Sequence, residues 1–298
     1  MGEFGYNVIS VLDGDADATI YSKLDGPIEC MSILRRSLVF AELSNLSYLS
    51  RGEAGMLANR MGFPEIRYYD NDGAQAYIFG NKDDAVVTCR GTQPAEWADI
   101  RADLDLQRAK AETVGWVHRG FKTQVDDLWP RLEQALVNNT RTLWFSGHSL
   151  GAAMAAICAG RCRLSYINSN PRALFTYGSP RIGSKRYVNH VPLETYRWVN
   201  NNDIVTRVPP PWLGFRHKGA DVYLNAHGKI RRLTRWQRMK DRWHGFVNGL
   251  RQGRFEPFAD HSIVQYCKHI REAVEEEEGV TLRPIPATRS FGAVRRAA

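Results

Sequence analysis

Thr142–Leu164 reads TLWFSGHSLGAAMAAICAGRCRL. Leu143, Trp144 and Phe145 form the apolar run of a strand buried on both faces. From Leu150 the composition turns to alanine and other small residues, as in a helix that lies close on a sheet. Between them stands Gly147-His148-Ser149-Leu150-Gly151, a G-x-S-x-G pentapeptide. The pentapeptide alone is a weak signal, and its setting gives it weight. A chain passing from strand to helix with almost no connector must bend sharply, and flanking glycines permit both the bend and close helix–sheet packing. Ser149 would then stand at a helix N-terminus, where main-chain amides face negative charge developing beside its hydroxyl. A plain helix-capping serine is the bland alternative.

Strand-like segments recur at 173–177 (ALFTY) and 195–199 (TYRWV), separated from the first by helical stretches at about 122–137, 149–164 and 182–190. That alternation implies parallel strands with helices on both faces. Upstream, residues 32–49 place Leu34, Leu38, Ala41 and Leu49 at helical spacing. A second helix is expected from the capping box Ser50-x-x-Glu53 to Gly62. EIRYYD, AQAYIFG and AVVTCRG then follow, joined by the turns NDG and NKDD, as antiparallel hairpin strands. The expected class is α/β: a mostly parallel central sheet with antiparallel strands on its N-terminal side. Residues 1–278 are read as one domain, and the Pro- and Arg-rich segment 279–298 as a flexible tail.

A serine hydroxyl needs a histidine to take its proton and a carboxylate to orient that histidine. In the strand–turn–helix arrangement these follow in the order Ser, Asp, His. Asp203, in TYRWVNNNDIVTRVPP, ends a strand before a Pro-rich loop and so falls at the carboxyl edge of the sheet. His261, in FADHSIVQY, occupies a loop just before an apolar helix. His190, His217, His227, His244 and His269 also follow the serine and are read as surface residues.

Seven ordered segments carry a resemblance to the class 3 lipase family, the fungal triacylglycerol lipase-like branch of the α/β-hydrolases. They are CRGT (89–92), EWADIRADLDL (96–106), VHRGF (117–121), GHSLGAA (147–153), TYGSPRIG (176–183), NNDIVTRVPP (201–210) and DHSI (260–263), and the likeness spans about residues 35–270. It implies Ser149 as nucleophile, Asp203 as orienting acid and His261 as general base. It further implies an oxyanion hole from the main-chain N–H of Thr92 and Leu150, with His118 and Tyr177 shaping the pocket or simply packing. The resemblance makes residues 94–104 a lid over the catalytic groove. The sequence there suits a short helix with Trp97, Ile100 and Leu104 on one stripe, opposite Glu96, Asp99 and Asp103; a fixed surface helix is the alternative. The implied activity is hydrolysis of acyl glycerols or fatty acyl esters through an acyl-enzyme, without metal or cofactor. Phospholipase A-type hydrolysis is the variant, and a non-catalytic membrane-binding module of the same fold the competing class. Where the family often has a second glycine after the motif, Ala152 stands here.

Composition is compatible with this reading. The chain has 298 residues, 43% hydrophobic and 24% charged, enough apolar material for a sizeable core. No apolar run is long enough to span a bilayer. The start MGEFGYNVIS lacks the basic and apolar regions of a secretory signal, so a cytoplasmic or membrane-peripheral location is expected, with secretion left open. Five cysteines without disulfide or zinc spacing read as reduced thiols. Between Trp212 and Glu256 lie eleven Lys/Arg and three Asp/Glu, a difference (11 − 3) equal to the chain's whole net charge of +8. Within that segment, read as a basic insertion over 212–256, residues 231–250 place Trp236, Met239, Trp243, Phe246, Val247 and Leu250 on one helical face among arginines. That pattern fits a membrane surface, or a helix packed on the protein's own core. No nucleic-acid recognition motif accompanies the charge.

Overall fold

Local capping signals set the first helices. The computed structural model describes residues 19–91, 107–164, 170–234, 236–241 and 259–285. Helix α1 (Ile33–Leu46) starts where the Ser32 hydroxyl accepts the Arg35 N–H. Helix α2 (Arg51–Met61) opens on the expected capping box and closes at Gly62, whose φ of +106° suits glycine. Strands β1 (Glu65–Asn71), β2 (Ala74–Gly80) and β3 (Asp84–Cys89) then pair antiparallel in sequence order.

From β3 onward the main sheet is parallel. Strands β6 (Thr142–His148), β7 (Pro171–Tyr177), β9 (Thr195–Asn200) and β11 (Ala220–Leu224) complete the order β1-β2-β3-β6-β7-β9-β11. Together with the helices this is the α/β-hydrolase fold. Side-chain alternation along β6 feeds two cores. Leu143 and Phe145 pack with Val125 and Leu132 of α3 (Arg119–Leu136) and Ile157 of α4 (Leu150–Leu164). Trp144 points the other way, into a core with Phe40 and Leu43 of α1 and Tyr266 and Ile270 of α6 (Ile263–Glu278). The Trp144 indole N–H reaches Asp84 Oδ1 at 2.8 Å, so this buried ring leaves no polar atom unpaired.

Several features differ from the expectations. A second sheet, β10-β8-β5-β4, joins β4 (Arg108–Lys110), β5 (Trp116–His118), β8 (Gly183–Ser184) and β10 (Phe215–Arg216). Its strands are two or three residues long, too short for an alternation to be visible. The short helix α5 (Lys185–His190) follows β8, capped by Ser184. The basic segment 212–256 is more than an insertion, because β11 lies within it and belongs to the main sheet. Its helix also starts later than Arg231. Ile230 bridges to Leu224, the Arg231 N–H donates to Tyr223, and a reciprocal Thr234–Gln237 cap precedes helical residues 236–241. That T-x-x-Q box is a start signal the amphipathic pattern overrode. Arg238 pairs with Asp221 and stacks over Tyr223, while the Tyr223 hydroxyl donates to Asp241 at 2.9 Å, so this helix packs on β11. Trp236 and Met239 stay exposed. Residues 242–258, including the rest of the expected apolar face, lie outside the described residues.

The expected loose tail is anchored over its first residues. The Leu282 N–H donates to Glu275, and the Ile285 N–H to Ile20, at 2.8 Å each. Apolar Leu282 and Ile285 pack on the α1–α6 core, a stronger pull than the lack of periodicity indicates.

Glu42 of α1 is 1% exposed, and its carboxylate accepts the Tyr21 and Ser22 N–H at 2.8 and 3.0 Å. Burial pushes its pKa up to about 7, against the pull of those donors and of Arg271. The folded chain therefore keeps a proton that the unfolded chain releases near pH 4.5. This contribution to stability is full below that pH and is lost as pH rises to about 7. Glu42→Gln is neutral throughout. Denaturant titrations from pH 4.5 to 8 should show the parent losing about 3 kcal/mol relative to the variant.

Candidate active site

Ser149 follows β6 directly and holds φ at +60°, in the left-handed region. Such backbone costs about 1–3 kcal/mol and persists only where its surroundings enforce it. Two glycines make the bend possible. A Cβ on Gly151 would lie 2.2 Å from the Cys89 carbonyl oxygen, and one on Gly147 2.4 Å from that of Gly151. Glycine at both positions lets α4 approach the end of β3, and the Ser149 N–H donates to Tyr177 O at 2.9 Å.

Asp203 lies three residues beyond β9, and His261 ends a single 3-10 turn, Ala259–His261, ahead of α6. All three side chains meet. His261 Nε2 stands 2.8 Å from Ser149 Oγ, and Nδ1 stands 2.9 and 3.0 Å from the Asp203 oxygens. Facing a carboxylate, Nδ1 carries the proton, which leaves Nε2 to accept from the serine hydroxyl. Ser149, Asp203 and His261 are 1%, 0% and 2% exposed, so each polar atom needs a partner. Asp203 Oδ1 also accepts the Val205 N–H at 2.9 Å, and Oδ2 the Tyr266 hydroxyl at 2.7 Å. Tyr266 in turn accepts the Asn200 N–H at 2.9 Å. Desolvation, with Asp203 beside it, drives this phenol well above its usual range, so it stays a donor. Leu150 is the first residue of α4, where main-chain N–H groups have no intrahelical acceptor. A hydroxyl with a base at hydrogen-bond distance, an oriented imidazole and a helix N-terminus is equipped for nucleophilic attack on a carbonyl.

The remaining expected residues distribute differently. Thr92, Trp97, Ile100 and Leu104, and the whole lid segment 94–104, lie outside the described residues. His118 occupies the N-cap position of α3 without a side-chain cap bond, its ring stacking on Phe121 at 4.2 Å between ring centroids and lying 5.7 Å from that of Phe215. Tyr177 is buried on the α1 side of the sheet, where its hydroxyl donates to Ser37 O at 2.5 Å. Packing, rather than lining a pocket, accounts for it. Among the other histidines, His190 and His227 are exposed as expected and His244 lies outside the described residues. His217 and His269 are half-buried rather than exposed. His217 Nε2 donates to Thr206 O at 3.0 Å, and His269 sits against Gly228, whose added Cβ would meet its ring at 2.4 Å. Burial holds both imidazoles below the usual range.

Tyr266, Gly178 and His148 escaped the sequence reading. Tyr266 lies five residues past His261, one helical turn beyond the DHSI motif, where a hydroxyl on an otherwise apolar helix face was the available signal. Gly178 has φ +61°, and a Cβ there would stand 2.7 Å from Asp203 Oδ2 and 2.8 Å from the His261 ring.

The family model described as "Lipase (class 3)" matches residues 86–212. Among curated sequences, the secreted mono- and diacylglycerol lipase 1 of Fusarium solani is 33% identical over 118 residues, covering 37% of this chain and 34% of that protein. Phospholipase A1-II 1 of Oryza sativa subsp. indica is 28% identical over 265 residues, covering 75% of this chain and 64% of that protein. The chain thus spans about a third of the fungal relative's length and under two thirds of the rice relative's. Among solved structures, the triacylglyceride lipase of Rhizomucor miehei superposes with a TM-score of 0.57 at 22% identity, covering 65% of this chain and 82% of that one. That likeness speaks for the fold.

Gly178→Ala should crowd the imidazole and carboxylate without touching Ser149. Labelling of Ser149 by a fluorophosphonate should slow by about 100-fold while circular dichroism stays native, the penalty expected for displacing aligned groups by about an ångström. Labelling at the parent rate would show that the pair tolerates the methyl.

Proposed function

We propose that the chain is a serine carboxylic ester hydrolase of the class 3 lipase family, acting on acyl glycerols or other fatty acyl esters, a reading supported by the match of residues 86–212 to that family's model and by the likeness to a fungal mono- and diacylglycerol lipase. The observation that carries the reading is the unbroken line from Ser149 Oγ to His261 Nε2 and from Nδ1 to Asp203, every step within 3.0 Å.

In the proposed reaction Ser149 Oγ attacks the ester carbonyl while His261 Nε2 takes the hydroxyl proton. The oxyanion faces the Leu150 N–H, with the Thr92 N–H and hydroxyl as the second donor set. Collapse expels the alcohol, protonated by His261, and leaves an acyl group on Ser149. Water then repeats the attack with His261 again as base, releasing the fatty acid and restoring the serine. Asp203 stays ionised and steadies the imidazolium.

Residues 94–104 serve in this reading as the lid, with Trp97, Ile100 and Leu104 as its apolar stripe. An apolar stripe that leaves a groove for a lipid surface gains about 25 cal/mol per Å² of area removed from water. Residues 231–250 would add contact with the headgroup layer. Exposed Trp236, with Lys240 over its ring at 5.7 Å, combines an apolar body with a cation, as at an interface. Among the described residues no helix is long and apolar enough to cross a membrane. Phospholipase A-type hydrolysis is the second reading, favoured by this basic surface and by the match to a protein named phospholipase A1-II 1 over 75% of the chain.

Ser149→Ala should remove turnover of p-nitrophenyl and glyceryl esters by a factor on the order of 10⁶. Retained turnover would refute the assignment. Activity on emulsified ester should exceed that on monomeric ester, and deletion of residues 94–104 should abolish the preference. An unchanged preference in the deletion variant would remove the lid from the mechanism.

A further inference from the structure

We propose that His148, the second residue of the GHSLG motif, is a positioning residue that fixes the main chain of His261, and that Tyr48 holds it in the required tautomer. The proposal rests on the reading of His261 as general base.

The geometry determines each proton. His148 Nε2 lies 2.6 Å from the His261 carbonyl oxygen, which can only accept, so Nε2 bears the hydrogen. In the neutral ring Nδ1 is then an acceptor, and the Tyr48 hydroxyl donates to it at 2.9 Å. Space there is tight, since a Cβ on Gly91 would lie 2.4 Å from the Tyr48 hydroxyl oxygen and 2.6 Å from His148 O. Donation therefore runs one way: Tyr48 to His148, and His148 to His261. His148 is 5% exposed, and its ring lies 4.6 Å from that of His261 at 34°, so it also walls one side of the base. Burial foremost, and the neighbouring His261, keep its pKa well below the usual histidine range, consistent with a ring that stays neutral.

His261 needs such a hold. It sits at the end of one 3-10 turn, and Asp203 grips only its Nδ1 edge. The main chain is secured at two successive carbonyls. Asn200 Nδ2 donates to Asp260 O at 3.1 Å from β9, and His148 donates to His261 O from β6. Without the second bond the imidazole keeps its carboxylate but loses the anchor that aims Nε2 at Ser149.

Three variants of the full chain test this: His148→Phe, His148→Gln and Tyr48→Phe. The readouts are kcat, KM, Tm and the low-field proton resonance of His261 Nδ1–H. His148→Phe should lower kcat about 100-fold with KM within about twofold, and should shift or broaden the resonance. His148→Gln, whose amide can donate to the same carbonyl and accept from Tyr48, should restore kcat to within about tenfold and return the resonance. Tyr48→Phe should cost about tenfold in kcat alone and decides the matter should His148→Phe not fold. An unmoved resonance in a folded His148→Phe or in Tyr48→Phe, with kcat falling only as Tm falls, overturns the proposal. So does failure of glutamine to rescue. The resonance is read without turnover, so an inactive parent would reject the hydrolase reading and leave this test standing.

Discussion

Everything at the site depends on how closely α4 can approach the end of β3. The absent side chain of Gly151 allows that approach, with main-chain atoms of Cys89, Arg90 and Gly91 within 2.7 Å of where a Cβ would be. With the helix seated there, the intervening residue must take a left-handed conformation, and Ser149 takes it at φ +60°. The strain lifts its hydroxyl off the carboxyl edge of the sheet. From that edge Asp203 arrives after β9, and His261 closes the gap from the turn before α6. A side chain at position 151 would separate helix from sheet and dissolve the alignment before any chemistry began.

The second constraint is that the assembled groups are buried. An unpaired polar atom inside a protein costs on the order of 1–3 kcal/mol, so a buried constellation survives only when its partners are complete. Asp203 illustrates this, with both carboxylate oxygens engaged by His261, Val205 and Tyr266. Gly178 shows the same economy of space, because the imidazole and carboxylate occupy the volume its side chain would fill. Rigidity and paired polar atoms are therefore one property of this site.

Much of this was legible in the sequence, for identifiable reasons. The elbow, the three antiparallel strands and the parallel succession announced themselves because glycines, capping boxes and apolar runs act locally. Ser149 and Asp203 could be picked out because each follows the end of a strand, and His261 because it stands just before a helix. The supporting partners could not. Tyr266 reaches Asp203 from α6 and Tyr48 reaches His148 from the turn after α1, and their hydroxyls carry no local signature. His148 sat inside the motif and was passed over, because its task is visible only once the His261 carbonyl is known to lie beside it. The small sheet was hidden by strand brevity, and the late start of the 236–241 helix by an arginine-rich pattern that resembled continuous helix.

The packing of residues 225–241 has a further consequence, for how copies of the chain meet. Strand β11 ends the main sheet, and its outer row of amides and carbonyls would otherwise be open to a strand from another molecule. The chain turns back on itself there, with Arg231 bonding Tyr223 O and Ile230 bridging Leu224, and Arg238 closes over Tyr223. At the opposite border β1 carries Glu65, Arg67 and Asp70, charges that discourage stacking. Both flanks are thus blunted, which protects a half-apolar sheet from edge-to-edge aggregation in a protein proposed to work among lipids.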